Sequence, residues 1–401
     1  LLAPFSLDRA PLLRAALWEE TPERWVLLLN VHHIIGDGLT TPLLLARLDA
    51  LYRGASPSPQ ALTYLDYAWH TAQNAGESGS LEYWKHHLSD LPEPLSLPGD
   101  FARSSSFDFR GNTVSFSISS QLSAQCDAFC TKKGISAYML FLSAFGVLMA
   151  RLSGKQDLLV GAAAAGRTLP QTREMCGPFI NTLPLRLHPQ DDLTVEAYLD
   201  TVRTEVNGML DHQHTGQEEI VSALGLKRTL SQSPLFQVLF SQRPVDAGRF
   251  TMDGSPLEYL PLPTGTARMD LWAELYKEKD CYALQMEYAT GLFLEETVRY
   301  YGRCFETILS SMLRGEGLPL SEVEALSVRD RMELIDIPNN TAYPFLNLPV
   351  PVQFSRQLAL GVVPTVKLEN LEGTEAERWG KMTPQEREIF NRECPMLARL
   401  F

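Results

Sequence analysis

The chain has 401 residues, 45% hydrophobic and 21% charged, an ordinary globular composition that is too long for one small core and suits two domains or lobes. Its net charge of -13 and the lack of any basic run exclude nucleic acid as a partner, because a polyphosphate needs a surplus of Lys and Arg on one face. The six cysteines, Cys126, Cys130, Cys176, Cys281, Cys304 and Cys394, stand without Cys-x-x-Cys spacing, which speaks against a zinc knuckle or redox pair and for reduced thiols of a cytoplasmic protein.

The chain opens at Leu1 with no charged stretch leading into an apolar one, so no signal peptide is expected and it reads as a piece of something longer. Residues 25–31 are β-favouring and apolar on both faces, which predicts a central strand covered on both sides. The strand delivers His32 and His33 to its end. Thr40 or Thr41 is then expected to cap a helix through Ala50, with Leu43, Leu44, Leu45, Leu48 and Leu51 on its apolar side. A helix over 81–88 follows, and the proline-punctuated stretch 91–99 marks a lobe boundary. Beyond it the pattern predicts a strand at 112–118, an amphipathic helix at 120–133, an apolar helix at 136–152 and a buried strand at 157–163. Further strand candidates are 179–187, 235–240 and 285–288. The apolar run 137–150 is interrupted by Ser143 and Gly146 and falls short of the ~20 residues that cross a bilayer, so it reads as a buried helix and no membrane association is expected. Strands alternating with helices predict a layered α/β architecture. From about Ser327 the texture changes to a turn-rich linker. In the tail, Thr383, Pro384 and Glu386 have the arrangement of a capping box and predict a short helix through Asn391.

The chemistry concentrates in His32-His33-Ile34-Ile35-Gly36-Asp37-Gly38. Consecutive strand residues point to opposite faces, which disfavours a metal site built from both histidines. The spacing allows one imidazole in a cleft, a tight turn at Gly36, and Asp37 bent back to fix that turn. Gly38 then offers an unobstructed N–H at a helix N-terminus, where developing negative charge is favoured. Read by itself, the spacing also fits a buried histidine pair closing a strand. Neither a Gly-x-Ser-x-Gly elbow nor a phosphate-binding Gly-rich lysine loop is present, so a serine hydrolase or nucleotide enzyme finds no support.

This run matches the His-His-x-x-x-Asp-Gly signature of nonribosomal peptide synthetase condensation domains, a family built on the chloramphenicol acetyltransferase fold. The resemblance covers most of the chain in the family's order. Pro4-Phe5-Ser6-Leu7 with Pro11-Leu12-Leu13-Arg14 resembles the segment before the active-site strand, and Tyr64-Leu65-Asp66-Tyr67-Ala68 the motif after it. Tyr83-Trp84-Lys85, Arg110-Gly111, Val160-Gly161 and Gly166-Arg167-Thr168 follow at familiar places. The run from Gly177-Pro178-Phe179 through Ile180-Asn181-Thr182 is similar to the family's Gly-x-Phe-Val-Asn-Thr block, and His212-Gln213 and the stretch from Arg228 to Gln237 resemble its last two motifs. The resemblance implies a two-lobed, layered α/β pseudo-dimer: a partial N-terminal lobe at 1–98, a C-terminal lobe at 99–327, a condensation–adenylation linker at 328–345, and an unassigned tail at 346–401 that starts faintly like an adenylation domain and diverges.

It also implies a reaction. Members join an upstream acyl or peptidyl thioester to the amine of a downstream aminoacyl thioester, both on phosphopantetheine arms of peptidyl carrier domains, with no cofactor bound directly. On this reading the catalytic set is His33, His32, Asp37 and Gly38: His33 handles the amine proton, Asp37 is architectural, and Gly38 donates to the oxyanion. Asn181 and Gln242 are tunnel-lining candidates, each equally suited to satisfying buried backbone, while Tyr67, Trp84 and Phe179 read as core. Partners would be the upstream and downstream carrier domains and an adjacent adenylation domain. The front of the N-terminal lobe is expected to be missing, and with it the arginine that commonly pairs with the aspartate, which leaves Asp37 partly unpaired. Trp69-His70, His214-Thr215-Gly216-Gln217 and Arg243 also depart from the family pattern. The alternatives are an ester-forming acyltransferase of the same fold and a non-catalytic carrier-docking domain.

Overall fold

A computed structural model describes residues 3–56, 62–73, 79–243, 250–258, 260, 262 and 264–339. The chain divides into two compact units, Leu1–Arg331 and Met332–Phe401. Of the second, the described residues hold only a π-helical turn, Met332–Asp336, and a helical turn, Ile337–Asn339. The expected adenylation-like segment and the capping-box helix at Thr383 lie outside the described residues.

The first unit opens with strands β1 (Leu13–Thr21) and β2 (Arg24–Val31), which pair antiparallel as a two-stranded sheet. The expectation of a central strand at 25–31 is therefore corrected. Among the described residues β2 has one neighbour, and none of its side chains is fully buried; Trp25 is 56% exposed. An apolar run on both faces looks the same in sequence whether the strand is enclosed or stands in a hairpin. Helices α1 (Thr40–Tyr52), α2 (Tyr64–Gln73) and α3 (Ser80–His87) follow.

The remainder builds one six-stranded mixed sheet from β3 (Gly111–Ser117), β4 (Leu158–Ala164), β5 (Asn181–Leu187), β6 (Val238–Gln242), β9 (Leu271–Glu278) and β10 (Cys281–Ala289), in the order β3-β10-β9-β6-β4-β5. A small hairpin, β7 (Phe250–Met252) with β8 (Ser255–Leu257), interrupts the path between β6 and β9 and lies against α1, where the Asp49 carboxylate accepts from the Asp253 N–H at 2.7 Å. The unit also holds helices α4 (Ser120–Lys133), α5 (Ala137–Ser153), α6 (Val195–Asp211), α7 (Gln217–Ala223) and α8 (Glu295–Arg314) and ends in a short helix, α9 (Val328–Arg331).

Local chemistry fixes the helix ends. Ser119, Ser136 and Thr194 accept from Leu122, Met139 and Ala197 N–H groups, and Gly134 and Gly154 close α4 and α5 in the left-handed conformation. Helix α5 is the centre of the core: Leu140 through Met149 are all buried, against α6, α8 and the sheet. Each Leu or Phe enclosed this way contributes about 1.5–3 kcal/mol. Helix α8 presents Val298, Tyr301, Phe305, Ile308, Leu309 and Met312 inward at helical spacing. Among the described residues no single helix is long and apolar enough to cross a membrane.

Candidate functional site

Strand β2 ends at Val31, so both histidines lie beyond it. His32 caps a 3-10 turn, His33–Ile35, and its Nδ1 accepts from the Ile34 N–H at 3.1 Å. This orientation places the ring proton of neutral His32 on Nε2. The two imidazoles differ in environment because His32 caps the turn and His33 begins it, and not because of strand pleating, which corrects the geometric expectation. His32 is half-buried with its edge against Phe5, whereas the His33 side chain is exposed and has no hydrogen-bond partner among the described residues.

Asp37 is buried and forms the anchor of the loop. One carboxylate oxygen accepts from the N–H groups of Leu39 and Thr40, each at 3.1 Å; the other accepts from the Phe179 N–H at 3.1 Å. Asp37 is thus the side chain that caps α1, in place of the expected Thr40 or Thr41: the N-cap residue Leu39 makes no side-chain bond. The helix runs on to Tyr52.

The expectation that Asp37 lacks its partner is also overturned. Arg167 reaches both of its carboxylate oxygens, at 2.9 and 3.2 Å, and the two side chains are only 4% and 3% exposed. The second terminal nitrogen of Arg167 donates to the carbonyls of Thr172 and Met175, and its guanidinium lies 4.2 Å from the Phe179 ring centroid. A buried ion pair needs its remaining hydrogen-bonding capacity used; here five backbone groups and a ring supply most of it, while the buried Arg167 Nε has no partner among the described residues. Arg167 belongs to Gly166-Arg167-Thr168, which the sequence marks as a landmark without linking it to Asp37. No periodicity connects residues so far apart.

Around this pair lies an aromatic layer. Phe179 is buried, edge-on to Tyr64 at 5.1 Å and tilted against Tyr67 at 4.8 Å. Burial raises the pKa of the Tyr64 phenol, which donates to the Pro178 carbonyl. Gly166, φ +66°, runs so close to the Phe179 carbonyl that a Cβ there would sit 2.0 Å from the oxygen, so the turn delivering Arg167 requires glycine. Trp84 lies in the core, where its Nε1 donates to the His212 carbonyl.

The other predicted site residues separate by environment. Gly38 is exposed, with open space where a Cβ would be, and its N–H has no partner among the described residues. Asn181 and Gln242 reach the same end of the sheet, where β4 gives way to Gly166 and Arg167. The Asn181 amide donates to the Gln213 and Thr215 carbonyls at 3.0 and 2.7 Å, so it satisfies backbone; Gln242 is exposed. A cavity of ≈ 240 Å³ between β5 and α6, lined by residues including Arg186, His188 and Glu205, contains none of the motif residues.

Comparison with known proteins bears on the family and the fold. The condensation domain family model matches residues 1–335. The chain is 33% identical over 334 residues to surfactin synthase subunit 2 of Bacillus subtilis, covering 83% of this chain and 9% of that protein. It is 31% identical over 361 residues to tyrocidine synthase 3 of Brevibacillus parabrevis, covering 88% and 6%. The chain therefore spans less than a tenth of these curated relatives. In fold it is similar to a four-domain nonribosomal peptide synthetase bound to AMP and glycine, with a TM-score of 0.78 at 21% identity over 89% of this chain and 28% of that one. It is likewise similar to the first condensation domain of the calcium-dependent antibiotic synthetase, with a TM-score of 0.67 at 22% identity over 81% and 72%. The α/β architecture is that of these domains, and the chain belongs to the condensation domain family.

Proposed function

We propose that this domain forms an amide bond between an acyl or peptidyl thioester and the amine of an aminoacyl thioester, each presented on the phosphopantetheine arm of a carrier domain. The observation that carries the reading is the exposed His33 imidazole on a loop whose other end offers the free Gly38 N–H, with buried Asp37 locking the loop from beneath. The amine attacks the thioester carbonyl, and the carbonyl oxygen becomes an oxyanion. His33 takes up the proton that the nitrogen sheds and returns it to the sulfur as the intermediate collapses, the C–S bond breaks and the thiol leaves. Gly38 donates its N–H to the oxyanion. Histidine suits the task because it changes charge near neutral pH. His32, committed to the turn through Nδ1, positions the loop.

The partners follow from the same reading: carrier domains upstream and downstream, and an adenylation domain beyond the linker at 328–345. We read 1–98 and 99–327 as the two lobes. The proline-rich stretch 91–99 supports this division, as does the sheet pattern, with one sheet confined to residues 13–31 and the other beginning at Gly111. The test is His33→Ala, assayed with donor and acceptor carriers loaded with their thioesters. Product formation is expected to fall by at least about 10², and an unchanged rate would overturn the assignment.

A further inference from the structure

The Thr40 hydroxyl stands where two distant loops meet. Thr40 is buried, and its Oγ1 lies 3.1 Å from the Asp37 N–H nitrogen and 3.3 Å from that of Gly177, 137 residues away. It lies equally close to two acceptors, the Asp37 carboxylate at 3.1 Å and the Gly177 carbonyl at 3.3 Å. A hydroxyl has two lone pairs and one proton. It can accept from both N–H groups at once and turn its proton to either acceptor, so its capacity is fully used without Arg167. The methyl of the same side chain lies against Gly36: a Cβ on that glycine would come within 2.7 Å of the Thr40 Cγ2. Thr40 thereby touches the Gly36–Asp37 segment from two sides while gripping the Gly177 turn.

We infer that Thr40 is a positioning residue, a hydroxyl hub that ties the His33–Gly38 loop to the Gly177–Phe179 turn independently of the Asp37–Arg167 ion pair. The inference rests on the reading of His33 and Gly38 as the reacting groups: both sit on the segment that Thr40 holds, and a shift of that segment would move them together. Among the described residues no other side-chain hydroxyl bonds both loops.

The experiment compares Thr40→Val, which keeps the shape and removes the hydroxyl, with Thr40→Ser, which keeps the hydroxyl. Hydrogen–deuterium exchange is followed in peptides covering 36–40 and 176–179. In Thr40→Val exchange is expected to rise about tenfold in both peptides, as for the loss of a buried hydrogen bond, and Thr40→Ser is expected to restore most of the protection. With loaded carriers, kcat of Thr40→Val is expected to fall about tenfold at unchanged KM. Thr40→Ala takes the place of the valine variant if that variant does not fold, with the same expected rise. Unchanged exchange at 176–179, or a serine variant as exposed as the valine one, would overturn the inference. The exchange readout does not depend on catalysis, so it decides the coupling even where His33→Ala goes against the amide-forming reading.

Discussion

Arg167 reaches across 130 positions of sequence to hold the carboxylate of Asp37, and neither side chain is more than 4% exposed. Removing one member of such a pair leaves a buried charge with no counterpart, which costs about 3–5 kcal/mol. Arg167→Met is therefore expected to lower stability by that amount in urea unfolding. Asp37→Asn combined with Arg167→Met should cost less than the two single changes added together, because each single variant strands the other's charge. A loss below about 1 kcal/mol for Arg167→Met, the range of exposed pairs, would show that the pair is not closed to water.

Two glycines with nearly the same backbone angle should respond differently to alanine. Gly134 has φ +61° and open space, whereas Gly166 has φ +66° and the Phe179 carbonyl oxygen at 2.0 Å from the added carbon. Gly134→Ala carries only the left-handed strain of about 1–2 kcal/mol. Gly166→Ala adds displacement of the Phe179 backbone, whose N–H bonds Asp37, so its urea midpoint should fall further. Equal midpoints would mean that the Phe179 turn yields freely.

The buried thiols give a pH signature. Burial pushes Cys126 up to about 12 and Cys130 up to about 11, with neighbouring Asp127 adding to both, against about 8.5 in an unfolded chain. The folded state keeps these protons while the unfolded state releases them, so stability is fully present below about pH 8.5 and declines as pH rises toward the folded values. In the native chain at pH 8 only roughly 10⁻³ or less of either thiol is thiolate. Iodoacetamide should label both in urea and neither in buffer, read by peptide mass; fast native labelling would contradict the packing of α4.

Much of this fold was legible because its signals are local. Amphipathic and apolar patterning placed α4 and α5 within a residue of their observed ends, where Ser119 and Gly134 bracket the first and Ser136 and Gly154 the second. Strands β3 and β4 announced themselves by alternation and by β-rich apolarity. Helices α6 and α8 went unread, although Thr194 caps the first and both carry helical apolar spacing; their charged outer faces, with Glu196, Asp200, Glu296 and Arg299, dilute that spacing. At the candidate site the motif that carries His33, Asp37 and Gly38 was legible as a motif, and the contacts that hold its loop were not. The partner of Asp37 and the hub at Thr40 are contacts between segments more than a hundred residues apart, and sequence spacing carries no trace of which distant loops meet.

The Asp37 anchor also bears on recombination. The connector at 91–99 looks in sequence like a natural cut point, yet the anchor draws on residues from both sides of it: Asp37 and Thr40 before, Arg167, Gly177 and Phe179 after. A chimaera joined there inherits its histidine loop from one parent and the clamp that holds it from the other. Exchange of halves between related synthetases is thus expected to succeed only where these five positions agree in kind, which makes them the compatibility code to match before any such splice.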